Sequence, residues 1–210
     1  MSDYIEYNSD NAPDESIDDV IHEEPEKKKN LLSDIVDYIE IFVFAISFVI
    51  LLFSFFFRIC TVSGQSMENT LFGKEKLIVS DMFYTPERND IVVFHQTGDR
   101  LNEPVVKRVI GIEGDTVEID YENWIVTVTD KNGNSTVLDE YYIKLVDDPL
   151  PYLYPIETFE VGEGEIFVMG DNRNHSNDSR GGEIGLVDTR RVLGKVVLRI
   201  APLDRFGTVD

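Results

Sequence analysis

A chain of 210 residues with 42% hydrophobic content can bury one domain-sized core and carry appendages besides. Its 40 acidic against 19 basic residues give a formal charge of −21, which argues against a nucleic-acid partner, because phosphate binding needs clustered Lys and Arg. The single cysteine, Cys60, excludes an internal disulfide framework and a cysteine metal cluster, and reads as a small buried or interfacial thiol.

The first 26 residues hold ten Asp or Glu and no Lys or Arg, with few large apolar side chains. Residues 1–38 are therefore expected to form an acidic, disordered tail. After Lys27-Lys28-Lys29 comes a run from Ile41 to Phe57 whose non-apolar members are Ser47 and Ser54, closed by Arg58. At about 1.5 Å per residue its 17 residues cover roughly 26 Å, and the flanking residues bring it near the ~30 Å of a bilayer core. A soluble helix would show a polar face, and a cleaved leader would show a short basic start and a small-residue cut site. The pattern predicts an uncleaved, single-pass anchor over 39–58. The lysine triplet before it puts the N-terminus in the cytoplasm and residues 59–210 outside.

Beyond Thr61 the chain changes to short runs rich in Val, Ile and Phe, punctuated by Gly, Asp and Asn, which read as strands. The clearest are Leu77–Ser80, Asp90–His95, Val105–Ile112, Ile125–Thr129, Glu165–Met169 and Val192–Ile200. Asn132-Gly133 signals a hairpin between Ile125–Thr129 and Ser135–Leu138. The stretch from Asp147 to Phe159, with three prolines, reads as an irregular connection within a small inserted subdomain at about 120–163. The external part is mainly β.

Three polar clusters stand out from these strands. Ser63-Gly64-Gln65-Ser66-Met67 follows the anchor directly, where work at a membrane surface would be done. Lys107 and Arg108 interrupt the apolar strand Val105–Ile110, so strict alternation sends one of them inward. A buried lysine loses its charge more readily, and a neutral amine can take a serine proton. The third cluster, Gly170–Arg180, carries a Ser-x-Asp-x-Arg pattern. Such a pattern can set an Asp178–Arg180 ion pair under the loop and leave Ser176 to orient a neighbouring amine.

Gly64-Gln65-Ser66-Met67-Glu68-Asn69-Thr70-Leu71 resembles the nucleophile box of bacterial type I signal peptidases. Arg88 to Phe94 is similar to their next box, Lys107 to Asp115 to the general-base box, and Gly170 to Arg180 to the Gly-Asp-Asn-Arg box. The resemblance implies two antiparallel β-sheet lobes, related to the autoproteolytic SOS repressors, behind a single transmembrane helix. It implies Ser66 as nucleophile with its backbone N–H in the oxyanion hole, and Lys107 as general base. Ser176, Asp178 and Arg180 would give support, and Met67 would lie on the substrate and membrane side. The expected reaction is hydrolysis of signal peptides from exported preproteins through an acyl-enzyme, with small side chains one and three residues before the cut. Neither metal nor other cofactor is implied. The partners are preproteins and the lipid bilayer.

Three positions leave the common pattern: Asn69 and Glu113 where Pro is usual, and Asn89 where Gly is usual. All are expected to touch backbone shape, since Asn tolerates left-handed conformations, and Asn69→Pro would stabilise if proline can adopt the same backbone. Gly64 stands where some members place an oxyanion-hole serine, which leaves more of that role to the Ser66 N–H. Two rival readings are a non-catalytic, membrane-anchored relative that assists surface-protein assembly, and a Ser–His hydrolase built on His95 or His175.

Overall fold

The computed structural model describes residues 31–95, 104–145 and 155–209. Residues 1–30 of the expected acidic tail, with the lysine triplet, and most of the connection expected after Asp147 lie outside the described residues; the end of that expected tail, 31–38, is not disordered but helical. A helix, α1, runs over Leu31–Phe56 and buries none of its residues. Its apolar side chains face every direction, as suits a solvent of hydrocarbon, and the Ser54 hydroxyl satisfies itself on the Ile50 carbonyl at 2.8 Å. Among the described residues it is the one helix long and apolar enough to cross a membrane, and it fits a single-pass anchor. Strand follows helix without a break: β1 is Phe57–Thr61.

The remaining strands are β2 (Lys76–Ser80), β3 (Ile91–His95), β4 (Pro104–Gly111), β5 (Thr116–Asp120) and β6 (Ile125–Thr129). They continue with β7 (Ser135–Val137), β8 (Ile156–Glu160), β9 (Glu165–Met169), β10 (Val187–Asp188) and β11 (Val192–Ala201). They form two antiparallel sheets, a seven-stranded one in the order β1-β2-β11-β3-β4-β9-β10 and a four-stranded one in the order β7-β6-β5-β8. The mainly β reading of the sequence holds.

Burial explains the pattern of each sheet. In β3, Ile91 and Val93 pack into a core with Met67, Leu71, Leu77 and Val79, while Val92 and Phe94 pack on the opposite side with Val109, Ile166 and Val168. A strand covered on both faces reads as a continuous apolar run, and Ile-Val-Val-Phe is one. In the smaller sheet Val117, Ile119, Val126 and Val128 point to a shared core with Ile110, Phe167 and Met169, and the residues between them stay open. That is the alternation of a half-buried strand.

The connection expected to be irregular through Phe159 is regular at its end. Ile156–Glu160 pairs with β5 from Asp120↔Ile156 to Thr116↔Glu160. Its acidic residues hid it, because an edge strand solvates alternate positions and needs little apolar content.

For the site, the decisive topology lies in β4. It pairs with β3 from Pro104 to Arg108, but β9 joins it only from Arg108 onward. Among the described residues, Pro104 to Lys107 have no strand partner on the β9 side.

Candidate active site

The chain between β1 and β2 closes on itself through Val62 N–H to the Glu75 carbonyl and Lys74 N–H to the Val62 carbonyl, both 2.9 Å. Within this loop Leu71 N–H reaches the Met67 carbonyl at 2.8 Å, a single helical turn that drives Met67 and Leu71 into the core. Met67 is thus an anchor for the loop, although it also borders the adjacent cleft. Gly64 takes φ +83°, a left-handed turn, just before Ser66. Asn172 holds the loop from below, its N–H on the Ser66 carbonyl and its Nδ2 on the Gln65 carbonyl, each at 3.0 Å.

Lys107 comes from β4 and is 3% exposed. Its Nζ lies 2.7 Å from Ser66 Oγ and 3.2 Å from the Val106 carbonyl. Burial pushes the Lys107 amine down to about 8, against a smaller upward pull from Asp178 and Asp171 and a slight downward push from Arg180. An amine with that pKa is roughly one-tenth neutral at pH 7 and half neutral at about pH 8, so an appreciable fraction is available as a base. At this separation the neutral form can accept the serine proton directly.

Strand alternation predicted that one of Lys107 and Arg108 turns inward. Both are buried, on opposite faces. Arg108 is 2% exposed and places Nε and Nη2 on the two oxygens of Asp171 at 2.9 and 2.8 Å, with Nη1 on the Asn89 carbonyl and the Tyr142 ring 3.8 Å from its guanidinium carbon. Asp171 also accepts from Thr70 Oγ1, so one carboxylate ties β4 to the loop that carries Ser66.

The Gly170–Arg180 loop holds the third part. Asp178 accepts from the Gly170 N–H at 3.0 Å and twice from Arg180 at 2.8 Å, and Arg180 also reaches the Arg173 carbonyl. Burial alone would raise the Asp178 pKa, but Arg180 outweighs it and holds the carboxyl below its usual range. Ser176 sits over Gly170. A β-carbon on Gly170 would overlap both Ser176 Oγ and the Ser66 carbonyl, so only glycine lets the two serine segments meet. The Ser176 hydroxyl is buried and makes no hydrogen bond of ordinary geometry, to Lys107 or elsewhere, though it lies close enough to Asp178 to help hold that carboxyl down.

With this geometry in view, residues 35–201 match the family described as signal peptidase, peptidase S26. The chain belongs to that family. It is 37% identical over 183 residues to signal peptidase I P of Bacillus subtilis subsp. natto, covering 86% of this chain and 96% of the relative. To signal peptidase I of Bacillus licheniformis it is 33% identical over 195 residues, covering 88% and 98%. A crystal structure of a signal peptidase I from Enterococcus faecalis V583 aligns at 30% identity with a TM-score of 0.40, over 54% of this chain and 98% of that one.

Against the pattern of the family, the departures resolve individually. Asn69 and Asn89 adopt φ +100° and +71°, left-handed as Asn allows. Proline cannot take φ +100°, so the condition for a stabilising Asn69→Pro fails, and the substitution strains the loop instead. Glu113 accepts from the Gly164 N–H at 2.8 Å, which fastens its turn to the β8–β9 connection. His95 ends β3 and His175 ends a 3₁₀ turn, Arg173–His175; both are exposed, and neither bonds Ser66. Burial raises the Cys60 thiol, which makes it a poor nucleophile. Among the described residues no group of three His, Cys, Asp or Glu is placed to hold a metal ion.

Sequence reasoning missed the supports beneath the dyad. Besides Arg108–Asp171, these are Arg173–Glu140, and Glu75 with Arg199 and Arg205. Arg199 and Arg205 also donate to the Thr70 carbonyl, which braces the far end of the turn after Ser66. Arg108 was legible as a charged residue in an apolar strand. Its partner 63 residues away was not.

Proposed function

We propose that the chain removes signal peptides from exported preproteins by acyl transfer, with Ser66 as nucleophile and Lys107 as general base. The observation that carries this reading is the buried Lys107 amine 2.7 Å from Ser66 Oγ, with its pKa lowered to about 8. The neutral amine takes the Ser66 proton as Oγ attacks the scissile carbonyl carbon. The tetrahedral oxyanion forms beside the Ser66 N–H, which no acceptor takes among the described residues. Collapse breaks the peptide bond, and the Lys107 ammonium returns its proton to the leaving amine. Water then attacks the ester, Lys107 takes its proton, and Ser66 regains one as the acid product leaves.

The cleft beside Ser66, about 170 Å³, is bounded by Val62, Ser63, Gly64 and Met67 on one side and Pro104, Val105 and Val106 on the other. An extended peptide laid there can pair with the open half of β4, as an added strand. The size of the space and its apolar walls favour small side chains one and three residues before the cut. By resemblance to the family, Ser176, across Gly170 from the Ser66 carbonyl, is assigned the orientation of the Lys107 amine, although its hydroxyl makes no hydrogen bond to that amine here, and Asp178 with Arg180 are assigned the shape of the loop. The Ser–His alternative has no such support, since both histidines are exposed and neither is hydrogen-bonded to Ser66.

In this reading the expected tail (1–38) is cytoplasmic although 31–38 already belong to α1, the anchor expected over 39–58 is the rest of α1 and gives way to β1 at Phe57, and the chain beyond is the external catalytic part with its insertion at about 120–163. The lysines at 27–29 support that orientation. The test of function offers the purified chain a signal-peptide substrate: Ser66→Ala should abolish cleavage with the fold kept, and wild-type turnover by that variant would overturn the assignment. For orientation, protease added to intact protoplasts should digest residues beyond Arg58. Protection of the Gly170–Arg180 loop would reverse it.

A further inference from the structure

Position 69 does something here that proline could not. At φ +100°, Asn69 donates its Nδ2 to the carbonyls of Tyr142 at 3.0 Å and Ile143 at 3.2 Å. The strap it reaches, residues 140–144, leads away from the four-stranded sheet and touches every part of the site. Tyr142 lies against Arg108, the neighbour of Lys107 on β4. Lys144 forms a parallel bridge with Asn172, its N–H on the Asp171 carbonyl at 2.7 Å and its own carbonyl accepting from Arg173 N–H at 3.2 Å. The Lys144 ammonium pairs with Glu68 at 2.8 Å, one residue before Asn69.

These bonds close a ring. Asn172 holds the front of the nucleophile turn by the Gln65 and Ser66 carbonyls, and Asn69 holds its rear to the strap that is itself bridged to Asn172. Glu68 and Thr70 on either side of Asn69 are held through side chains, by Lys144 and by Asp171, Arg199 and Arg205, and Asn69 adds the tie from the left-handed residue itself to the strap backbone. Without that tie this segment has more freedom to shift, and Ser66 Oγ with it relative to Lys107. Displacement of about 1 Å in a reacting group costs up to 10²-fold in rate.

We propose that Asn69 is a positioning residue, which tethers the rear of the nucleophile turn to the 142–144 strap and thereby sets Ser66 Oγ against Lys107 Nζ. The inference rests on the Ser66–Lys107 reading above. Two variants of the full-length chain test it. Asn69→Gly accepts the left-handed backbone and removes the amide; Asn69→Asp keeps the size and turns an oxygen toward the two carbonyls. The tether is partly open to water, so kcat should fall about fivefold to tenfold for Gly and further for Asp. KM should be unchanged, the Tm should stay within a few degrees, and labelling of Ser66 by a serine-directed acylating reagent should slow in parallel. A residue needed only for its φ would leave Asn69→Gly at the wild-type kcat. Wild-type kcat in both variants, or an effect confined to KM or Tm, overturns the proposal. Ser66→Ala in the same assay separates the two readings: if it is inactive while the Asn69 variants work normally, the tether alone fails, and if it cleaves, the dyad fails.

Discussion

The two faces of β4 bury two cations one residue apart and treat them in opposite ways. On one face Lys107 meets a serine hydroxyl and a carbonyl, and among the described residues no carboxylate lies in salt-bridge range; its proton is loosened. On the other face Arg108 meets both oxygens of Asp171. Burial pulls its pKa down there too, but the carboxylate more than restores it, and the charge is held. The same strand therefore supplies a group able to change protonation state and a group that never does. What separates them is the partner, since both are almost fully buried.

The harshest way to break the contrast is to make the Lys107 face resemble the Arg108 face. Lys107→Arg puts a group that cannot lose its proton beside Ser66, and Lys107→Met removes the amine at similar length; each should cost roughly 10²–10⁴-fold or more in kcat with the fold intact. Steady-state cleavage with circular dichroism checks this, and substantial turnover by Lys107→Met would end the dyad reading. On the opposite face, Arg108→Met strands the Asp171 carboxylate in the interior and should lower stability by about 3–5 kcal/mol, read from urea melts. A loss under 1 kcal/mol would mean that water reaches Asp171.

Protonation links the two faces to pH. The folded-state pKa of Lys107, about 8, lies below its ordinary 10.5, so the folded protein bears the cost of a buried ammonium at pH below 8. That cost is relieved between about pH 8 and 10.5, where the unfolded chain holds a proton that the folded one has lost. Stability should rise with pH across that window, and Lys107→Met should gain up to about 3 kcal/mol at pH 7 and lose this advantage by pH 10.5. Cleavage should likewise rise with pH through about 8 rather than through a histidine-like 6.5. The smallest expected effects sharpen the same point: His95→Ala and His175→Ala should each keep activity within about twofold, since both side chains are exposed and neither hydrogen-bonds Ser66 or Lys107. Loss of cleavage in either, with the fold preserved, would reopen the histidine alternative.

Local signals made much of this readable. Ile125–Thr129 and Glu165–Met169 show apolar residues on a strand period or in a short run, and their bounds in the fold are those read from sequence. Thr116–Asp120 has the same alternation, but two acids in five residues masked it. Phe57–Thr61 was hidden differently: the apolar run of the helix continues into it, and composition does not mark where a helix becomes a strand. At the site, Ser66, Lys107 and Gly170–Arg180 were visible as polar groups in the wrong company. The pairings Arg108–Asp171, Thr70–Asp171 and Asn69 with the 142–144 strap were not, because they join segments 63 to 101 residues apart that only the sheet order brings together.

The open half of β4 invites the wrong guest as readily as the right one. Unpaired backbone along a sheet margin is a template for any extended chain, including one from a neighbouring copy, and lateral association of sheets begins in this way. Two details limit the danger. Pro104, at the start of the open stretch, has no N–H to offer, and the stretch ends within four residues where β9 takes over. A margin so short offers only a few backbone groups to any added strand, which limits how far a neighbouring copy could pair along it.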